Sequence, residues 1–351
     1  MNAKRAPRIL LSRMKFIGDV VLTTPLIRSV RTAHPEAHIS YLGDSAAVTL
    51  LENNPYLDEI IPYDFSRSDL LEQSRVALAL RRRRFDVAID LFGNPRSALL
   101  MFLGGAPVRV GPDRRGRGRL YTIRVRNDDG PMNAIEFHNR YLLAAGIAPS
   151  STRTEIFLTE DERRQGKEVL ARSLGLSAES LRDHTVIGIH PGATWPAKKW
   201  FPERFAQLAR ALRTRPGTLV VLTAGAKDGE TVTAVQAASP EPLPVLRALP
   251  LRGLAGAIAA CSAYVANDAG PLHIAAALGT PTIGLFGPGE DAIWFPYPAV
   301  EGHRALRKEV PCHPCHLDVC NRSGGGFMEC MALLSVEEVA QAVAGALRRA
   351  L

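Results

Sequence analysis

The feature that most restricts this chain is an alternation of short β-prone apolar runs with helix-period segments, and the alternation occurs twice. The first series opens with Arg8-Ile9-Leu10-Leu11-Ser12, continues through a loop at Gly18-Asp19, and enters a helical pattern from Pro25 to Ala33 that Pro35 stops. "AHISYLG" then reads as a strand, "AAVTLLENN" as a helix, "DEIIPYD" as a strand, "SDLLEQSRVALALRRRR" as a helix and "FDVAIDLFG" as a buried strand. The second series starts at Thr185-Val186-Ile187-Gly188-Ile189-His190 and repeats the unit through "ERFAQLARALRTR", "TLVVLTAGA", "AYVAN" and "TIGLFG". Strands that alternate with helices imply parallel sheets joined by helical crossovers.

At 351 residues the chain is long enough for two domains, each burying its own core. The segment "EDERRQGKEVLARSLG" lacks a continuous apolar face and reads as a linker helix. The boundary therefore falls near residues 160–183, giving a first domain over 1–165 and a second over 180–334. The amphipathic last segment, 335–351, is expected to cross the junction and pack back on the first domain. Ligands of open α/β sheets bind at the carboxyl ends of the strands, so a cleft between two such domains is the expected site.

The net charge is +8, and because Lys occurs only seven times, Arg supplies the other 36 of the 43 basic residues. They concentrate at Arg81 to Arg84 and in Asp113-Arg114-Arg115-Gly116-Arg117-Gly118-Arg119. Such clusters suit either an anionic partner, with phosphate groups or a membrane surface as the source of charge, or a plain solvated face. Nucleic acid is not the expected partner, because neither cluster is interleaved with base-stacking aromatic residues. Gly18 and Asp19 interrupt the N-terminal apolar stretch too early for a signal peptide, and no window approaches a ~20-residue uncharged span. The expected location is cytoplasmic, where the five Cys would be thiols or metal ligands before they would be disulfides.

Three short constellations carry chemistry. In "NDAGPLH", Gly270 and Pro271 stand at a strand-to-helix turn, and the first turn of the following helix offers free N–H groups and the positive end of the dipole to an anion. The alternative is that Asp268 caps this helix and His273 is an ordinary helix-start residue. In "HPGATWPAKKW", a glycine loop at Gly192 to Thr194 follows a buried strand, and Lys198 precedes Trp200 so that an ammonium can face the same ligand. Two anion-directed elements on one sheet suggest a diphosphate; the alternative is a solvated lysine pair beside a packing tryptophan. In "KFIGDVV", from Lys15 through Gly18 and Asp19, a carboxylate at the mouth of an apolar loop can serve as a general base or bind backbone N–H groups structurally.

"FIGDVVLTTPLIRSVR", "HPGATWPAKKWFPERFAQLA" and "NDAGPLHIAAALGTPTIGLFGP", in this order, resemble glycosyltransferase family 9, the ADP-heptose:lipopolysaccharide heptosyltransferases. "DLFGNPRSALL", "CHPCHLDVC" and "ECMALLSVEEV" resemble further segments of that family, so the likeness runs nearly end to end. It implies an α/β GT-B fold, two facing Rossmann-like doubly wound parallel-sheet domains with an interdomain cleft. It implies an inverting, metal-independent transfer of heptose from ADP-heptose to the lipid-linked inner core of lipopolysaccharide at the inner-membrane surface. On this resemblance Asp19 is the catalytic base, Lys198 contacts the donor phosphates, Asp268 contacts the donor heptose, and the backbone at Ala269 and Gly270 holds the diphosphate. Ala269 stands where Thr or Ser is common in the family, which removes a hydroxyl contact and leaves the backbone donors.

The donor side is then expected to comprise Gly192, Thr194, Lys198, Gly225, Asp228, Glu230, Asp268, Ala269, Gly270, Pro271 and His273, with Asp228 or Glu230 on the ribose. The acceptor side would comprise Lys15, Gly18, Asp19, Arg114, Arg115, Arg117 and Arg119, the arginines facing phosphates of the lipid. No Asp-x-Asp motif is present, and no cofactor is implied besides the ADP-heptose donor; leaving-group charge would meet helix N-termini and basic side chains. Cys312, Cys315, Cys320 and Cys330 leave two readings open, a structural zinc site or free thiols. The chain has no G-x-G-x-x-G, Walker lysine loop or G-x-S-x-G elbow. This disfavours the alternatives, an NAD(P)-dependent oxidoreductase with two Rossmann-type domains and a non-catalytic nucleotide-binding module.

Overall fold

The computed structural model describes residues 5–64, 69–114, 116–126 and 130–349. The chain divides into two compact units, Met1–Phe157 and Leu158–Leu351. In the first, β1 (Arg8–Arg13) leads into α1 (Ile17–Leu22) and α2 (Thr24–Ala33), followed by β2 (His38–Asp44) and β3 (Glu59–Tyr63). Then come α3 (Leu70–Arg83), β4 (Val87–Asp90), α4 (Pro95–Gly104), β5 (Val108–Pro112), β6 (Ile123–Val125) and α5 (Ala134–Ala144). The strands form one six-stranded parallel sheet in the order β3-β2-β1-β4-β5-β6. One face buries Ile9, Leu11, Ile39 and Tyr41 under α2 and α5, and the other buries Leu10, Leu42 and Ala88 under α3 and α4, which contributes Met101. That two-sided burial explains why these strands read as continuous apolar runs without alternation.

The second unit begins with α6 (Glu160–Ser173), β7 (Thr185–His190), α7 (Pro202–Arg213), β8 (Thr218–Ala224), α8 (Gly229–Ala238) and β9 (Val245–Arg247). It continues with α9 (Leu251–Ala259), β10 (Ala263–Asn267), α10 (Gly270–Ala277), β11 (Thr282–Leu285), α11 (Asp291–Trp294), β12 (Arg304–Leu306), α12 (Glu329–Ala332) and α13 (Val336–Arg349). Its sheet has the order β12-β11-β10-β7-β8-β9, again parallel throughout. Counted from its own first strand this is the same order as in the first unit, that of the dinucleotide-binding fold. The direction of winding reverses between β1 and β4 in one unit and between β7 and β10 in the other. The carboxyl ends of those four strands are where such sheets bind ligands.

Several elements depart from the sequence reading. The Gly18-Asp19 loop is helical: α1 starts at Ile17, and the Asp19 carboxylate accepts the Phe16 N–H at 3.0 Å. "AAVTLLENN" forms a short 3-10 turn over Ala47–Leu51. The charged segment read as a linker, α6, is packed on α9 as part of the second unit. It needs no broad apolar face because Leu170 and Ala171 supply a narrow one and the helices meet backbone on backbone beside it: a Cβ at Gly166 would lie 2.1 Å from the Gly256 carbonyl carbon. Arg252 and Glu162 close the same contact with an ion pair. The last helix, expected on the first domain, contributes Val339, Ala342, Val343 and Ala346 to the second unit's core, beside α7, β10 and β11. In the Arg81–Arg84 run, Arg83 forks onto Glu59 and the other three are exposed at the end of α3.

Candidate active site

In the first unit the notable group sits where winding reverses. Asp19 is buried by its place in the first turn of α1, with its side chain 11% exposed. One carboxylate oxygen faces the Arg13 guanidinium and the other takes the Phe16 N–H. Arg13, the last residue of β1, also donates to the Leu91 carbonyl at 2.8 Å and lies 5.1 Å from the centre of the Phe92 ring. The loop carrying Leu91 and Phe92 is organised by Asp90, whose carboxylate accepts the N–H groups of Phe92 and Gly93 and the Tyr121 hydroxyl. Burial raises the Asp90 carboxyl above its ordinary range. Gly93, at φ +63, is required there, since a Cβ would strike the Pro112 ring at 2.1 Å.

Of the other residues expected on this side, Gly18 is buried within α1 and Lys15 is half-buried and partnered. Arg117 donates through Nε to the Gly93 carbonyl at 2.8 Å, which brings the arginine segment to the loop after β4. Arg114 and Arg119 are exposed. Arg115 lies outside the described residues.

In the second unit, the loops after β7 and β10 are joined by Asn267. Its fully buried side chain accepts the Trp200 N–H at 3.1 Å and donates to the Pro191 carbonyl at 2.9 Å. Trp200, itself fully buried, donates through Nε1 to the Leu334 carbonyl. These bonds fix the segment that carries Lys198, whose Nζ lies 2.5 Å from Asp268 Oδ2 with the two side chains 17% and 7% exposed. The Trp195 ring covers the same ammonium at 4.5 Å. Asp268 therefore does not cap α10: the cap position is Ala269, extended and without a side-chain hydrogen bond, and Gly270 and Pro271 open the helix. No side chain caps α10, and in its first turn Pro271 carries no N–H while the Leu272 N–H donates to the Ala269 carbonyl at 3.0 Å. A β-carbon at Gly289 would sit 3.1 Å from Asp268 Oδ2, so the loop after β11 approaches the pair closely.

The geometry separates the two acids that spacing left equivalent. Asp228 accepts the Gly225 N–H at 2.8 Å and packs against Gly192, where a Cβ would meet its carboxylate at 2.2 Å. Its other neighbour is His190, 3.6 Å away, which burial holds below its ordinary range against the pull of Asp228. Glu230, two residues into α8, is exposed, as is Thr194. His273, in the first turn of α10, is 4% exposed and hydrogen-bonded through Nδ1 to the Tyr297 hydroxyl at 2.7 Å.

The four C-terminal cysteines are free, and among the described residues no group of three or more His, Cys, Asp or Glu side chains could hold a metal ion. The zinc expectation therefore lacks a ligand set. Two of the sulfurs serve as local acceptors instead, Cys312 toward Arg322 at 3.4 Å and Cys320 toward the Met328 N–H at 3.3 Å. No helix among the described residues is long and apolar enough to cross a membrane.

The family model of glycosyltransferase family 9 (heptosyltransferase) matches residues 74–323. The chain belongs to glycosyltransferase family 9. It is 31% identical over 301 residues to lipopolysaccharide heptosyltransferase 2 of Salmonella typhimurium LT2, covering 80% of this chain and 83% of the relative. A solved glycosyl transferase family 9 structure from Veillonella parvula superposes with a TM-score of 0.84 at 27% identity, over 98% of both chains. The structure of E. coli ADP-heptose lipopolysaccharide heptosyltransferase II gives a TM-score of 0.75 at 25% identity, over 97% of this chain and 98% of that one. This family 9 chain is accordingly a glycosyltransferase of the GT-B class, with one Rossmann-like sheet in each unit.

Sequence reasoning singled out Asp19, Lys198 and Asp268 as candidates and missed the side chains that hold them in place. Asn267 opens the quoted "NDAGPLH" run, and its position at a strand end was the available signal. Tyr297 carried no signal because its partner His273 is 24 positions away; Arg13 is six residues from Asp19, but the Leu91 carbonyl that also holds it is 78 positions away.

Proposed function

We propose that this glycosyltransferase transfers heptose from ADP-heptose to the inner core of lipopolysaccharide with inversion, acting at the cytoplasmic face of the inner membrane without a metal. The observation that carries the reading is the Lys198–Asp268 pair beside the uncapped start of α10, in a chain of this family. A Lys ammonium has three donors, so Lys198 can face Asp268 as an ion pair and still donate to a diphosphate. The Gly270 N–H and the positive end of the α10 dipole supply the remaining stabilisation as negative charge grows on the leaving ADP. Asp268 faces the heptose, and Glu230, the acid that is not already engaged by backbone, takes the ribose.

The acceptor belongs to the first unit. Asp19 removes the proton of the acceptor hydroxyl as its oxygen bonds to the anomeric carbon; the bond from that carbon to the diphosphate oxygen breaks and ADP departs. Arg114, Arg117 and Arg119 contact phosphates of the lipid acceptor, with Arg117 aimed by its bond to the Gly93 carbonyl.

The test is ADP release from ADP-heptose in the presence of heptose-deficient lipopolysaccharide, measured for the wild type and Asp19→Asn. General-base assistance is worth ~10²–10⁴ in rate, so the variant should lose at least about a hundredfold in turnover while ADP affinity, titrated calorimetrically, is unchanged. Near-wild-type turnover of Asp19→Asn would remove Asp19 from the role. Binding of UDP, GDP or NADH as tight as that of ADP would remove the donor assignment.

A further inference from the structure

The mechanism above asks Asp19 to receive a proton but does not use the residue that faces it. We propose that Arg13 is a positioning residue for this base, an inference that rests on the role given to Asp19. One buried guanidinium makes three commitments at the reversal point between β1 and β4: Asp19 Oδ1, the Leu91 carbonyl at 2.8 Å and the face of Phe92 at 5.1 Å. Its side chain is 14% exposed, so water does little to compete for it.

A carboxylate offers about four lone-pair sites on two oxygens. Arg13 occupies one on Oδ1 and the Phe16 N–H one on Oδ2, which fixes the carboxylate plane and leaves one site on each oxygen for an acceptor hydroxyl. Without Arg13 the carboxylate is held by a single backbone donor and can turn about its Cβ–Cγ bond. Arg suits this task because its planar fork can bind the carboxylate and the Leu91 carbonyl together, whereas a lysine ammonium is a point charge.

The rival role for Arg13 is to tie down the loop after β4 through Leu91, with Asp19 incidental. A double-mutant cycle on turnover separates the two, because residues that act through each other are non-additive. Misplacing a catalytic group by ~1 Å can cost ~10²-fold. Arg13→Met should therefore lower kcat roughly 10- to 100-fold, with acceptor KM within about twofold and ADP affinity unchanged, and Arg13→Lys should recover part of the loss. In the Asp19→Asn background the same Arg13→Met change should alter kcat by less than about twofold, there being no base left to orient.

Losses that multiply across the cycle, or wild-type kcat in Arg13→Met, would overturn the proposal. So would a rise in acceptor KM with kcat intact. Near-normal turnover of Asp19→Asn alone would overturn the base assignment itself, a result visible before Arg13 is changed. If thermal melts show that Arg13→Met does not fold, the cycle is run with Arg13→Lys and Arg13→Gln.

Discussion

Removing Lys198 should weaken two things that can be measured apart. Its ammonium lies 2.5 Å from Asp268 Oδ2 in a site where the two side chains are 17% and 7% exposed, under the Trp195 ring. Breaking a fully buried pair costs ~3–5 kcal/mol because a charge is left without its partner. The residual exposure of Lys198 places the cost of Lys198→Ala nearer ~1–3 kcal/mol. For a unit of this size ~2–4 °C is lost per kcal/mol, so melting should fall by roughly 2–12 °C.

The ligand effect is separate. A hydrogen bond from a charged donor is worth ~1.5–3 kcal/mol, and at ~1.4 kcal/mol per tenfold ADP should bind about 10- to 150-fold more weakly. Calorimetric titration of ADP and scanning calorimetry of the same samples read the two quantities. The double variant Lys198→Ala with Asp268→Ala should recover much of the stability, since no anion is stranded, and none of the ADP affinity. Unchanged ADP affinity in Lys198→Ala, or affinity restored in the double variant, would refute the placement of the diphosphate at Lys198.

Further outcomes follow from particular contacts. Gly166→Ala forces a Cβ to within 2.1 Å of the Gly256 backbone, and overpacking of this kind costs ~1–3 kcal/mol or more; thermal denaturation should show a loss of several degrees, and an unchanged melt would mean that α6 is not held on α9. The hydrogen bond from Arg252 holds the Glu162 carboxyl at about 2 against an ordinary 4.5. A carboxyl lowered on folding contributes stability that is fully present above pH 4.5 and is lost as pH falls toward about 2, so the melting temperature of Glu162→Gln should vary less across that window than that of the wild type. Glu230→Gln should weaken ADP by about tenfold without changing the melt, whereas Asp228→Ala, which removes the packing on Gly192 and the hydrogen bond from the Gly225 N–H, should lower the melt; the reverse pattern would exchange their roles.

The class of fold was legible because strand and helix periods are local properties: "HISYLG" and "FDVAID" are short apolar runs of strand length, and the helix-period segments between them read as crossovers. The motif residues were legible for a related reason. A glycine loop after a strand and a helix start after Asp-Ala-Gly-Pro present backbone donors wherever the strand ends, and the acid and lysine types nearby limit the chemistry.

What periodicity does not contain is which strands become neighbours. The order β3-β2-β1-β4-β5-β6 and its counterpart in the second unit decide which strand ends adjoin. That adjacency sets Arg13 against Leu91, 78 positions away, and brings Lys198 to Asp268. The same is true of α6, which looks like a linker in a hydropathy reading because its closest approach to α9 is made by two glycines and its apolar contribution is narrow, chiefly Leu170 and Ala171. Asp228 and Glu230 are equivalent in sequence, and only the backbone N–H of Gly225 engages one of them and leaves the other exposed. The sequence by itself determined the elements and the chemical types at their ends; the tertiary structure decided the partners, because hydrogen bonds and ion pairs act over a few ångströms of space whatever the distance along the chain.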